Sequence, residues 1–235
     1  MVLPYMATAP PSLFLQSVHI PHDWDDVSET TSSITRARMF EAMARAVSER
    51  GYAAVTVSDV VTGARVSRRT FYEHFQDKER CFLEAYRTGC ENGIVQIDAS
   101  LRALEDPDWR TRLSVSLETY LAILAAEPHF ARVLLIDVLG AGPEALEARE
   151  RVLADYVEHY RGLRERARAE EPDLPAVPDA FLRGLVGGIA ELVQQCLLES
   201  AADEVSDRLR ELHPTLFRFA ASVLTGGREN RSRAG

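Results

Sequence analysis

Within the stretch Ser67 to Lys78 the side chains of Ser67, Arg68, Arg69, Thr70, Tyr72, His74 and Lys78 are among the hydrogen-bond donors of the kinds that hold phosphates and base edges. Arginine can pair bidentately with guanine O6 and N7, and Ser, Thr, Tyr and Lys can hold phosphate oxygens. For that chemistry the donors must share a face of one rigid element that can enter a major groove. The spacing predicts such an element. A helix from Arg68 to Phe75 puts Phe71 and Phe75 on one face that must be buried, and turns Arg69, Thr70 and Glu73 outward with Tyr72 and His74 on the shoulders. Ser67 and Arg68 stand at its leading end.

A second helix must present the first. Thr56 and Asp59 form a T-x-x-D capping pattern that starts a helix near Val57, with Val60 and Val61 as its apolar side. Gly63 to Arg65 can end it before the new start at Ser67. Two short helices joined by a tight turn are a DNA-reading shape. On periodicity alone, a plain helical hairpin with two Phe inside and charges outside is an equally good reading.

The wording V-S-R-R-T-F-Y-E-H-F-Q-D-K-E resembles the helix-turn-helix of TetR-family transcriptional repressors, and the resemblance covers about residues 35 to 86. It implies that the positions of Thr56, Ser58, Ser67, Arg68, Arg69, Thr70, Tyr72, His74 and Lys78 supply most DNA contacts. It also implies a homodimer on an inverted-repeat operator, and a variable effector-binding and dimerisation domain from residue 78 onward. One position departs from the family: the turn residue that is usually Gly is Arg65, where a left-handed conformation would cost about 1 kcal/mol or more. Glu73 can accept from a cytosine N4 or lie beyond the bases.

Charge is uneven along the 235 residues, whose net charge is -9. Residues 35 to 88 carry ten basic against seven acidic side chains, residues 1 to 34 carry four acids and no Lys or Arg, and the remainder is acidic. The only basic segment is the one with the hairpin, and a local basic face is enough to attract phosphates. Cys81, Cys90 and Cys196 have no metal-ligand spacing and suit a reducing cytoplasm. No apolar run approaches the roughly 18 residues that span a bilayer, and no basic region precedes PPSLFLQSVHI, so neither a membrane helix nor a signal peptide is expected.

The expected fold is all-α: an N-terminal three-helix helix-turn-helix domain followed by a larger helical domain. Residues 1–33 read as a flexible tail with a short apolar island at Leu13 to Leu15. Residues 34–77 form the DNA-binding domain, opened by a helix from Thr35 that carries Phe40, Met43, Ala44 and Val47 and stops at Gly51. Arg36 and Arg38 at its start can contact phosphates or lie as solvated arginines. Residues 78–226 form the effector-binding and dimerisation domain, and 227–235 a disordered tail. Proline and glycine divide 78–226 into helices over about 78–105, 109–127, 128–138, 143–171, 180–198 and 204–225, with Pro214 kinking or splitting the last.

Within 78–226, Trp109, Tyr120, Phe130, Tyr156, Tyr160 and Phe181 are aromatics of one helical body. They are plain core or the walls of an apolar cavity, and the resemblance favours the cavity. An apolar or aromatic effector would be oriented there by groups among Glu118, His129, Gln194 and Gln195. The segment around Ala180 to Leu198 is apolar over much of its circumference and must be covered on more than one side. A self-complementary interface is expected there, with Gly184 and Gly188 allowing close approach beside Leu192, Leu216, Phe217 and Ala220. No nucleophile elbow, P-loop, dinucleotide fingerprint or zinc motif is present, and no cofactor or metal is expected. The rival reading is a helical carrier or enzyme without DNA binding, acting through Glu118, His129 or Asp137.

Overall fold

A computed structural model of the chain describes residues 13–14, 27–201 and 203–227. The expectations for 1–12, 15–26 and 228–235, most of both tails, lie outside the described residues. Among the described residues every regular element is helical: α1 (Val27–Arg50), α2 (Val57–Ala64), α3 (Arg68–His74), α4 (Lys78–Arg102), α5 (Trp109–Ala126), α6 (Pro128–Leu135), α7 (Pro143–Glu170), α8 (Asp179–Glu199), α9 (Val205–Glu211) and α10 (His213–Leu224), with short 3-10 turns at Tyr52–Ala54 and Asp137–Gly140. Pro214 sits in the first turn of α10, where its missing N–H has no helical partner to lose, so it divides the last segment.

The chain forms two compact units, one of Met1–Gly93 with Ala126–Leu146 and one of Ile94–Ala125 with Glu147–Gly235. The division falls within α4, after Gly93, whereas the sequence suggested residue 78. Aromatic residues explain why the start of α4 belongs with the reader: Phe82 and Tyr86 are almost wholly buried, and the ring of Phe82 lies 4.8 Å from that of Tyr52.

In the first unit, α1 buries Met39, Phe40, Met43 and Val47 on the face that the sequence periodicity marked. Two tail expectations are corrected. Val27 to Ser33 belong to α1, and the apolar island reaches the core: Leu13 and Phe14 are 1% and 3% exposed. An island too short to build a core can complete one if its backbone is satisfied. Here the Leu13 amide donates to Glu127 Oε1 at 3.1 Å, and Asn92 Nδ2 donates to the Leu13 carbonyl at 2.7 Å. Phe14 then extends a row of rings, Phe71, Phe75, Phe40, Phe14 and Phe130, with successive centroids 5.5 to 5.7 Å apart.

In the second unit, Trp109 is fully buried, its amide donating to Glu170 at 3.0 Å and its indole to Glu171 at 2.9 Å. The start of α5 is thereby tied to the end of α7. α8 buries Leu182, Leu185, Val186, Ile189 and Val193 but leaves Phe181 and Leu198 exposed. By length and composition α8 would suffice to cross a membrane, which corrects the reading that no such run exists. Its apolar residues are interrupted by Arg183 and Glu191, which is why no unbroken run stands out.

Candidate nucleic-acid interface

The start of α2 is locked by the expected capping box. Asp59 Oδ2 accepts from the Thr56 amide at 2.8 Å and from the Thr56 hydroxyl at 2.7 Å, while Arg50 donates to Asp59 Oδ1 at 3.0 Å. These donors hold the Asp59 carboxyl down at about 2, the Thr56 hydroxyl first among them. The Thr56 hydroxyl hydrogen is therefore committed to Asp59. Ser58, two residues on from Thr56, is exposed.

The turn answers the question raised by Arg65. Its φ of 54° and ψ of 47° are left-handed, the conformation for which glycine is the unstrained choice. The Arg65 amide donates to Thr62 O and that of Val66 to Val61 O, so the chain closes α2 with the usual double bond and accepts strain to do it. Ser67 then caps α3, accepting from the Thr70 amide at 3.0 Å, with the two hydroxyls 2.9 Å apart.

α3 stands on Phe71, which is completely buried, and Phe75 just beyond it is 2% exposed. Arg68 and Arg69 point to solvent, and Tyr72 is 55% exposed. Arg69 Nε donates to Glu73 Oε1 at 3.0 Å in an exposed pair. Such pairs are worth about 0.3–0.5 kcal/mol, little enough to be exchanged for a base. Glu73 thus holds the arginine in the free chain, a role that the i,i+4 spacing could have signalled. His74 is half-buried, and burial followed by the nearby Arg36 charge lowers its affinity for a proton.

Two expected phosphate contacts have other occupations. Arg36 lies over the rings of Phe75 and Phe40, 5.1 and 5.4 Å from their centroids, and pairs with Glu84. Its guanidinium joins α1 to Phe75 and α4 while its side chain stays 38% exposed. Lys78 Nζ donates to Tyr52 O at 3.0 Å and sits 4.2 Å from the Tyr52 ring centre, which still leaves N–H donors on the ammonium. What sequence reasoning missed is an open cleft of about 620 Å³ between α1 and α2, lined by Arg38, Arg45, Arg50 and Arg65 and also by Glu41, Glu49, Asp59 and Ser58.

The residues expected to form an effector cavity are not gathered into one. Phe130 belongs to the first unit, its ring edge-on to Phe14. In the second unit Tyr120 and Tyr156 meet edge to face at 5.8 Å, and Tyr160 is buried, whereas Glu118 and Phe181 are exposed. Gln194 is half-buried, and His129, in the first unit, lies with Nδ1 2.7 Å from Ser48 Oγ. Neither Glu118 nor Phe181 faces an interior, because each lies on the solvent side of its helix.

The expected interface divides similarly. Leu216 and Ala220 are fully buried within the chain and are core, not surface. Gly188 does permit a close approach, but a Cβ there would lie 2.8 Å from the Phe219 ring of the same chain. Gly184 has open space before it, and Leu192 and Phe217 are half-buried.

Comparison with known proteins bears on the capped hairpin directly. A family model described as bacterial regulatory proteins, tetR family, matches residues 40–85, the span from mid-α1 to early α4. The reader of this chain is thereby similar to that of the bacterial regulatory proteins of the tetR family. It is similar to the HTH-type transcriptional repressor AcnR of Corynebacterium efficiens, 34% identical over 92 residues, or 36% of this chain and 48% of that one. The chain thus matches about half the length of this curated relative. Solved structures share the TetR fold more widely. The fatty acid degradation regulator FadR of Bacillus halodurans superposes with a TM-score of 0.69 at 17% identity, covering 78% of this chain and 94% of that one. FadR of Bacillus subtilis, solved in complex with stearoyl-CoA, gives 0.67 at 16% identity, covering 81% and 97%.

Proposed function

We propose that the chain is a cytoplasmic DNA-binding transcriptional regulator, acting as a repressor, that binds an inverted-repeat operator as a homodimer and is released by a small-molecule effector. Residues 34–77 are the reader in this scheme, and the helices of 78–226 hold the effector and the partner. The observation that carries the reading is α3 itself: a short helix on a wholly buried Phe71, presenting Arg68, Arg69 and Tyr72 to solvent behind a capped α2. Arg68 and Arg69 read bases, while Ser58, Tyr72 and the remaining donors of Lys78 hold phosphates. The similarity to AcnR supports the repressor role.

Dimerisation is supported by α8, on which Phe181, Gly184 and Leu198 remain uncovered within the chain. Two readers on a two-fold axis gain the contacts that one short helix lacks. An effector that favours the non-binding arrangement releases DNA by its differential affinity, commonly about 1–3 kcal/mol. The stearoyl-CoA bound by the Bacillus subtilis FadR supports an effector with an apolar body. Selection of bound duplexes from a random library tests the whole scheme. An enriched inverted repeat is expected, whose binding weakens by about 1–3 kcal/mol on Arg68→Ala. Absence of any enriched duplex would sink the scheme.

A further inference from the structure

Arg164 on α7 is out of place. The exposed side of α7 reads in sequence as laced with Glu and Arg, yet Arg164 is only 5% exposed. Its Nη2 donates to the Pro175 carbonyl, while Nε and Nη1 are closed off from solvent and meet no hydrogen-bond partner among the described residues. Burial, and after it the like charge of Arg168, lowers its proton affinity. Arginine does not lose its proton in proteins, so it cannot escape the penalty by becoming neutral. A buried charge without a counter-charge is costly and asks for an anion.

The surroundings say what kind of anion. Tyr160 and Ala167, one turn before and one turn after Arg164 on the same face, are both buried, as is Leu174 on the connecting segment 171–178. That segment has no helix of its own, and Pro175 lies so close to the end of α10 that a Cβ at Gly226 would come within 2.6 Å of its ring. We propose that Arg164 is the anchor of an effector site in the second unit, receiving the oxyanion head, carboxylate or phosphate, of an amphiphile whose apolar body lies along α7. The oxyanion accepts from Nε or Nη1, and segment 171–178 shifts to admit it. The site rests on the effector-responsive reading above and names the chemistry of its ligand.

Trp109 reports on it, because its indole N–H is bound to Glu171 at the head of that segment. In a Trp24→Phe background Trp109 is the one tryptophan. Titration of the full chain with octanoate, octyl phosphate and octanol should change its emission, with at least one anion binding ten or more times tighter than octanol; the stronger anion identifies the head group. Arg164→Met should erase that preference while leaving the unfolding midpoint equal or higher, since it removes an unpaired charge. Equal binding of all three probes, no binding of any, an unchanged preference in Arg164→Met, or a lowered midpoint in that variant would each overturn the proposal. Binding of the selected duplex is measured alongside. A chain that binds its duplex but ignores both anions keeps the regulator reading and loses this site.

Discussion

Along the exposed edge of α2 and α3, three polar side chains are met by residues three or four positions away, Thr56 by Asp59, Ser67 by Thr70 and Arg69 by Glu73, whereas behind that edge Lys78 reaches Tyr52 and Arg36 reaches Glu84. In the second unit, beside local pairs such as Arg161 with Glu158 and Arg210 with Asp207, the partly buried bonds span far more chain. Trp109 reaches Glu170, 61 positions on, Ser114 meets His213 across 99, and His159 meets Ser116 across 43. Local, exposed pairs form as soon as their helix forms and are cheap to exchange, which suits a surface that must trade them for phosphates and bases. Long-range, partly buried pairs form only when helices dock, and breaking one leaves a desolvated group unsatisfied. The exposed edge of α2 and α3 can give its partners up, and the partly buried bonds of the second unit are kept.

The apolar footing under the local pairs is the first place to break this contrast. Phe71→Ala should cost about 3–5 kcal/mol of stability in denaturant unfolding, as expected for a large buried side chain. A loss under about 1 kcal/mol would mean that α3 does not stand on that ring. Next comes the contrast itself. Ser116→Ala removes the buried partner of the half-buried His159 and should cost about 1–3 kcal/mol, whereas Glu73→Gln, which breaks the exposed pair with Arg69, should stay within about 0.5 kcal/mol. Equal costs for the two would abolish the distinction between the regions.

Arg65→Gly relieves a left-handed arginine and should raise stability by about 1 kcal/mol. Its operator affinity should fall if the cleft arginines approach phosphate, and a salt-dependence slope reduced by about one would count the lost contact. The smallest effect is electrostatic. Because the Asp59 carboxyl is depressed to about 2 in the folded chain, the unfolded chain binds its proton more readily. The capping contribution is complete above the ordinary carboxylate range near 3.8 and is lost as pH falls toward about 2. Unfolding midpoints measured between those values should fall less steeply in Asp59→Asn than in the parent chain.

The capped hairpin was legible because its signals are local. A Thr three residues before an Asp, a Ser before two arginines, and two Phe at i,i+4 each act within one turn of helix, so their spacing along the chain is their spacing in space. The all-helical fold was legible for the same reason, with prolines and glycines marking nearly every boundary that the structure shows. Even the strain at Arg65 could be stated beforehand, since the turn demands a left-handed residue whichever side chain occupies it.

What tertiary structure alone decided is which partner each long side chain finds. Arg36 had the type and position of a phosphate ligand, yet the Phe75 ring and Glu84 from other elements claimed it. Leu13 and Phe14 lay in a segment too short to fold by itself, and they became core because α1, α4 and α6 supply the rest of one. Gly188 could serve a second chain or this one, and Phe219 settled it for this one. Arg164 was indistinguishable from its solvated neighbours on α7 until Pro175 closed over it. A helix periodicity says which residues share a face, but what covers that face is fixed by packing between segments far apart in the chain, and that packing put Leu216 and Ala220 inside while leaving Phe181 outside.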